Sequence, residues 1–212
     1  MNLRENNKQL NRQKILHAAR ELVQGGGLEA LSMRDLAERA QVSSRTPYNL
    51  FGSKTDVLLG LLDEPAQQLW QALPQQFGQG VLLAVIETCE RAYALYSKDL
   101  DYYRQLYWGI MTSDHIEARR NVLSSVKRFA LPLVDAAVMN GELVADTDVE
   151  ALTSQTIMLI AGLLGLWAAG LCSSEELVRD VRAGLASTFL AYCPEERRAG
   201  LRQTLLLRQA NA

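Results

Sequence analysis

Between Ser32 and Phe51 the sequence spells two short amphipathic helices joined by a tight turn, and no other stretch narrows the fold as much. Ser32 has a hydroxyl suited to an N-cap, and Asp35, three residues on, favours the positive end of the helix it opens. Met33, Leu36, Ala37 and Ala40 then fall on one inner face. Gln41-Val42 makes a tight connection, and Ser43 is placed to cap the next helix. There Arg45, Tyr48 and Asn49 share one face at three-and-four spacing, while Pro47, Leu50 and Phe51 share the other. Pro47 lies in or just past the first turn, where its missing donor does limited harm. A bracing helix, a small turn and a short helix with an apolar underside are the parts of a helix-turn-helix. The outward side chains can hydrogen-bond bases or phosphates.

The flanking residues extend the helical pattern. Ile15, Ala18, Ala19, Leu22 and Val23 recur on one face, and Gly25, Gly26 and Gly27 end that helix by accepting a left-handed C-cap. Ser53, with Asp56 three residues later, caps a fourth helix. Further on, Leu82, Val85, Ile86, Cys89, Tyr93 and Tyr96 form one stripe, and Tyr103, Leu106, Tyr107, Ile110 and Met111 another. A long helix is expected from near Ile116 to Met139 with Val122, Val126, Phe129 and Leu133 inward, a kink at Pro132 and a stop at Asn140-Gly141. Asp146 is placed to cap the next helix. Ser173 and Glu176 form a capping box for another, with Leu177, Val181, Leu185 and Tyr192 in series. A short charged helix follows Pro194. With only five prolines and no run of short β-branched segments, the chain is expected to be all-α.

Charge is unevenly placed. Residues 1–60 carry nine Lys/Arg against six Asp/Glu, a net of +3, so the remainder carries −5 of the overall −2. A basic head on an acidic body suits a protein that meets phosphates at one end. The three cysteines, Cys89, Cys172 and Cys193, are odd in number and widely spaced, so they read as reduced core residues; a thiol sensor would require a depressed pKa. The N-terminus has no apolar h-region, which excludes a signal peptide and points to the cytoplasm. From Ala151 to Cys172 there is no charged residue, but the clean apolar run from Ile157 to Cys172 falls short of a membrane span, and a buried interface helix is the expectation. Two histidines, His17 and His115, with no HExxH, Gly-x-Ser-x-Gly or phosphate loop, give no basis for an enzyme. Asp63-Glu64 and Asp99/Asp101 read as solvated acids, so neither metal nor cofactor is expected.

Arg12, Ile15-Leu16, Ala18-Ala19, Leu22, the glycines, Leu31-Ser32, Leu36-Ala37, Ala40, Val42-Ser43, Thr46, Tyr48, Phe51, Ser53-Lys54 and Leu58, read in order, resemble the N-terminal signature of the TetR family of transcriptional regulators. A bulky apolar residue is usual in the family where Pro47 stands, a departure that bears on how the recognition helix sits. The resemblance implies a three-helix DNA-binding domain over residues 1–55 and a helical effector-binding and dimerisation domain over 56–212. It implies that Arg45, Thr46 and Asn49, with Ser44, face the groove, Arg45 being the candidate for a bidentate guanine contact. Tyr48 and Lys54 resemble phosphate contacts, and Arg34 and Ser32 brace the backbone. Lys8 and Arg4 belong either to a flexible arm that reaches a neighbouring groove or to a solvated tail.

The implied protein is a repressor that binds a near-palindromic double-stranded operator as a homodimer and is released by a small, mainly hydrophobic or aromatic effector. The uncharged helix around Ile157–Leu171, with Gly162 and Gly165 permitting close approach, and the helix from Glu175 to Tyr192 fit the pairing of subunits. Tyr93, Tyr96, Tyr103, Tyr107, Trp108, Met111, Phe129 and Trp167 are the candidate effector pocket, phenolic hydroxyls on apolar walls. The alternative is an adaptor of the same fold that binds another protein and no DNA.

Overall fold

The computed structural model describes residues 3–72, 80–112 and 116–207, and every regular element among them is helical. The α-helices are α1 Leu3–Gly26, α2 Met33–Arg39, α3 Thr46–Phe51, α4 Lys54–Ala72, α5 Val81–Tyr96, α6 Leu100–Met111, α7 Ile116–Met139, α8 Val149–Ala168, α9 Ser174–Tyr192 and α10 Glu195–Leu207, with 3-10 turns at Leu28–Ala30 and Ser97–Asp99. The all-α expectation is met. His115 and the side chain of Val122 lie outside the described residues.

Two compact units divide the chain, Met1–Pro65 with Asp99–Val122 and Ala66–Lys98 with Leu123–Ala212. The boundary expected between residues 55 and 56 is not where they part. The reason is local packing: the start of α4 and all of α6 stay with the N-terminal helices. Gly60 of α4 is buried so closely that an added Cβ would stand 2.8 Å from Leu16 Cδ2 and 3.2 Å from Phe51. On α6, a Cβ at Gly109 would collide with the Leu28 side chain, so this glycine is the notch that receives the turn after α1.

In the first unit the inward stripe of α1 is buried as its spacing predicts, through Ile15, Ala18, Ala19 and Val23. Gly27, at φ 70, ends the helix, and its N–H donates to Val23 O at 2.8 Å. Ser32 accepts a hydrogen bond from Asp35 N, and Met33, Leu36 and Ala37 are buried behind this cap. The turn of the helix-turn-helix closes α2 through two bonds, Val42 N to Ala37 O at 3.0 Å and Gln41 N to Glu38 O at 3.1 Å. This is a Schellman arrangement, and it holds Gln41 at φ 54, the one non-glycine residue in the left-handed region among those described.

In the second unit α9 packs on α5 and α8. Leu177, Val181, Leu185 and Phe189 of α9 are essentially without exposure, as is Trp167 of α8. Each such side chain contributes about 1.5–3 kcal/mol relative to an exposed one. Two caps hold the unit in register. Ser173 and Glu176 form the expected capping box at α9. The exposed donors at the start of α5 are met from far along the chain: Glu142 accepts from Val81 N at 2.7 Å and Leu82 N at 3.0 Å. Glu142 follows Gly141, whose φ of 66 closes α7 as expected, and its carboxylate also complements the α5 dipole.

Three expectations are corrected. Helix α8 is capped by Asp148, whose side chain accepts from Ala151 N at 2.9 Å, and not by Asp146. Helix α3 begins at Thr46 instead of directly after Ser43, because residues 44–45 form a turn and Pro47 sits in the first helical turn with its missing donor harmless. On α7, Val126 and Phe129 are each 42% exposed while Val134 and Ala137 are buried. Among the described residues the apolar stripe of α7 is buried only toward its C-terminal end.

Candidate functional site

Pro47 is buried beneath α3 and Leu50 and Phe51 are half-buried, which fixes the underside of the helix. The guanidinium of Arg12 lies 4.2 Å from the Phe51 ring centroid and donates to Leu50 O at 3.3 Å, so α1 clamps the C-terminal end of α3. With one face pinned, the opposite face must point to solvent. Ser44, Arg45 and Asn49 are exposed, and Tyr48 is 56% exposed despite its aromatic ring. Thr46 is half-buried, its hydroxyl 2.7 Å from that of Ser43, so it steadies the start of the helix as well as bordering the face. Arg45 makes no ion pair among the described residues.

The remaining candidates stand around this face. Arg34 is exposed at the start of α2. The Ser32 hydroxyl is committed locally, accepting from Asp35 N at 3.1 Å and donating to Asp35 Oδ2 at 2.5 Å. Lys54 is half-buried, and its ammonium donates to Leu28 O at 2.6 Å. That bond ties the start of α4 to the turn after α1 and occupies one of the three ammonium donors. The cap at Ser53 behaves as expected, accepting from Asp56 N at 3.2 Å.

Arg45, Tyr48 and Asn49 thus form a short, solvent-facing row of a guanidinium, a phenol and an amide on a rigid apolar base. A family model described as bacterial regulatory proteins, tetR family, matches residues 15–61, the span that builds this base and row. The head of this chain is thus similar to that of tetR-family regulatory proteins. No curated protein sequence matches the chain. Its fold is similar to a TetR-family transcriptional regulator from Syntrophomonas wolfei, with TM-score 0.66 and 20% identity over 87% of this chain and 96% of that one. It is also similar to SmeT, the repressor of the Stenotrophomonas maltophilia multidrug efflux pump SmeDEF, with TM-score 0.61 and 19% identity over 87% and 91%. A third similar fold is Thermus thermophilus FadR, a repressor solved with lauroyl-CoA, with TM-score 0.61 and 18% identity over 82% and 92%.

The second unit contains a small apolar cavity of about 30 Å³. Its wall is Leu82 and Val85 of α5, Ala130, Leu133 and Val134 of α7, Thr153 and Thr156 of α8, and Phe189 of α9. The two threonine hydroxyls donate back into their own helix, to Val149 O at 2.7 Å and Leu152 O at 2.8 Å, so the wall offers no free polar group. None of the eight residues expected to form a pocket lines this cavity. Tyr96 stacks on Trp167 at 5.7 Å, and Trp167 Nε1 donates to Ser174 Oγ at 3.1 Å, which makes that cluster a packed core. Tyr93 is buried beside it. Tyr103 and Tyr107 are buried in the first unit, Trp108 and Met111 are 51% and 43% exposed, and Phe129 is exposed next to Ala130. Aliphatic cavity walls have no signature that separates them from ordinary core, so nothing in the sequence singles them out.

Elsewhere one member of each acidic pair has a polar partner: Glu64 pairs with Arg20 at 2.7 Å, and Asp99 accepts from Gln24 at 3.1 Å. Burial pushes the Cys89 thiol up to about 12 and also raises Cys193, the opposite of what a reactive thiolate needs.

Proposed function

We propose that this TetR-family chain is a repressor that binds a near-palindromic operator as a homodimer and is released by a small hydrophobic effector. The observation that carries the reading is the exposed row Arg45, Tyr48 and Asn49 on a buried underside. In that row Arg45, with Ser44, Thr46 and Asn49 beside it, reads base edges in the major groove, and Tyr48, Lys54, Arg34 and Ser32 hold phosphates. An adaptor without DNA would have no use for a row of this chemistry left free of intramolecular ion pairs. Such a regulator works in the cytoplasm, where its DNA is.

Pairing is supported by α8. Its 20 residues are apolar enough by length and composition to cross a membrane, with mean hydropathy 1.5, yet only 28% of that window is buried within the chain. Met158 and Leu166 are 72% and 48% exposed, and a Cβ added at Gly162 or Gly165 would meet nothing within 4 Å. A two-fold contact through this face covers the apolar surface and sets two α3 helices about 34–36 Å apart, one DNA turn.

The wholly apolar cavity favours an effector with an aliphatic or aromatic body, and FadR with its lauroyl-CoA is a similar fold that takes such a molecule. An effector of that kind has to widen a space of about 30 Å³, so it binds a state in which the helices around the cavity have moved apart, and it releases DNA only by preferring that state. Selection of bound sequences from random duplex DNA tests the proposal. A palindromic consensus supports both the reading helix and the pairing; absence of any enriched sequence refutes it.

A further inference from the structure

Helix α1 is 24 residues long and begins at Leu3, twelve residues before the span shared with the family at residue 15. The extension is therefore helical and continuous with the head, in place of a flexible arm. Its composition is unusual. From Leu3 to Lys14 there are four cations (Arg4, Lys8, Arg12, Lys14), five amides (Asn6, Asn7, Gln9, Asn11, Gln13), one acid (Glu5) and only two apolar residues.

Spacing puts the cations to one purpose. Arg4, Lys8 and Arg12 recur every fourth residue, so they form one row along the helix, and that row continues into Leu16 and, a turn later, Ala19. Leu16 and Ala19 are buried in the head. The inward face of α1 therefore changes from apolar to cationic where the head's core ends. Arg12 marks the crossing point, since it rests on Phe51 and Leu50 O at the last turn of α3. Lys8 and Arg4 continue on that same side, about 6 Å and 12 Å further along the axis at 1.5 Å per residue. Both are exposed, and neither has an ion-pair partner among the described residues. Like charges four residues apart repel and weaken an isolated helix, a cost that neighbouring anions remove.

We propose that the first three turns of α1 form a second DNA contact, in which Arg4 and Lys8 neutralise backbone phosphates flanking the stretch read by α3, with Asn7 and Asn11 beside them as hydrogen-bonding partners. This inference rests on the DNA-binding reading of α3. A protein partner is disfavoured by the chemistry, because an interface core is built from apolar and aromatic side chains and charged residues are depleted there. A membrane surface is disfavoured by the lack of an apolar stripe opposite the cations.

The test uses the full chain, as wild type, as R4Q/K8Q and as R4K/K8R, with a fluorescently labelled mixed-sequence duplex titrated across a range of salt. Each phosphate contact contributes about one to the slope of log K against log salt. The wild type is expected to bind with a steep slope, R4Q/K8Q to bind more weakly with a slope shallower by about two for each bound protomer, about four for the homodimer, and R4K/K8R to keep the wild-type slope. Both positions are exposed, and an unchanged far-UV spectrum confirms that the helix persists. If the wild type binds and R4Q/K8Q shows the same slope and affinity, the second contact is refuted while the reading of α3 stands. If the wild type binds no duplex at low salt, the reading of α3 fails and this inference falls with it.

Discussion

Replacing Glu90 is expected to be among the more damaging single changes in the second unit. Its carboxylate pairs with Arg182 Nη1 at 2.5 Å, joining α5 to α9, and the two side chains are 20% and 9% exposed. Nε and Nη2 of Arg182 are buried with no hydrogen-bond partner among the described residues, so Glu90 is the acceptor that offsets the burial of this guanidinium. Removing one partner of a buried pair costs about 3–5 kcal/mol, against at most about 1 kcal/mol for a surface pair. The residual exposure of Glu90 places Glu90→Ala near the lower end, about 3 kcal/mol. Replacing both residues, as E90L/R182M, removes the uncompensated charge and is expected to recover most of that loss. Urea unfolding at fixed protomer concentration measures both, as shifts of the midpoint at constant slope. A loss below about 1 kcal/mol for Glu90→Ala, or a double variant no better than the single, refutes the reasoning.

Three other outcomes follow from particular residues. Gln41 occupies a left-handed turn at φ 54, so Gln41→Gly trades a steric cost of about 1–2 kcal/mol for extra unfolded-state freedom, and a net gain of roughly 0.5–1 kcal/mol is expected in thermal unfolding; a loss contradicts the strain assignment. Leu166→Glu places a charge on the exposed apolar face of α8 and is expected to yield monomers in sedimentation, an unchanged assembly state counting against the pairing proposed there. Burial moves Cys89 from 9.0 to about 12 and Tyr107 from 10.0 to about 12, so above those ordinary values the folded state holds protons that the unfolded chain has already released. Stability from these groups is thus complete below about pH 9 and is lost as pH rises toward 12, from about pH 9 for Cys89 and about pH 10 for Tyr107, by about 1.4 kcal/mol per unit for each group within its own window; a stability that rises across it contradicts the burial.

The head is legible in the sequence because its determinants are local. Ser32, Ser53 and Ser173 act on amides three residues away, Gly27 and Gly141 supply a backbone conformation of their own, and the stripe from Ile15 to Val23 needs only helical spacing. What escapes such a reading depends on residues distant in the chain. Glu142 caps α5 from 61 residues away, and nothing beside Val81 announces it. Val126 and Phe129 have the spacing of core residues, but spacing says which face they share and not whether a neighbour covers it. The aromatic set rests on residue type alone; in the fold Tyr96 stacks on Trp167, while five aliphatic residues, two threonines and Phe189 border the cavity. The helical N-terminal extension is hidden for a related reason, since its one aligned row is cationic and carries no hydrophobic signal.

The central claim is that the exposed row on α3 reads bases. Its most direct measurement is the affinity of Arg45→Ala for the selected operator and for the same duplex changed at each position in turn. The expected result is a loss of about 1–3 kcal/mol with discrimination relaxed at one base position in each half-site. An Arg45→Ala protein that keeps both the affinity and the preference of the wild type contradicts the claim.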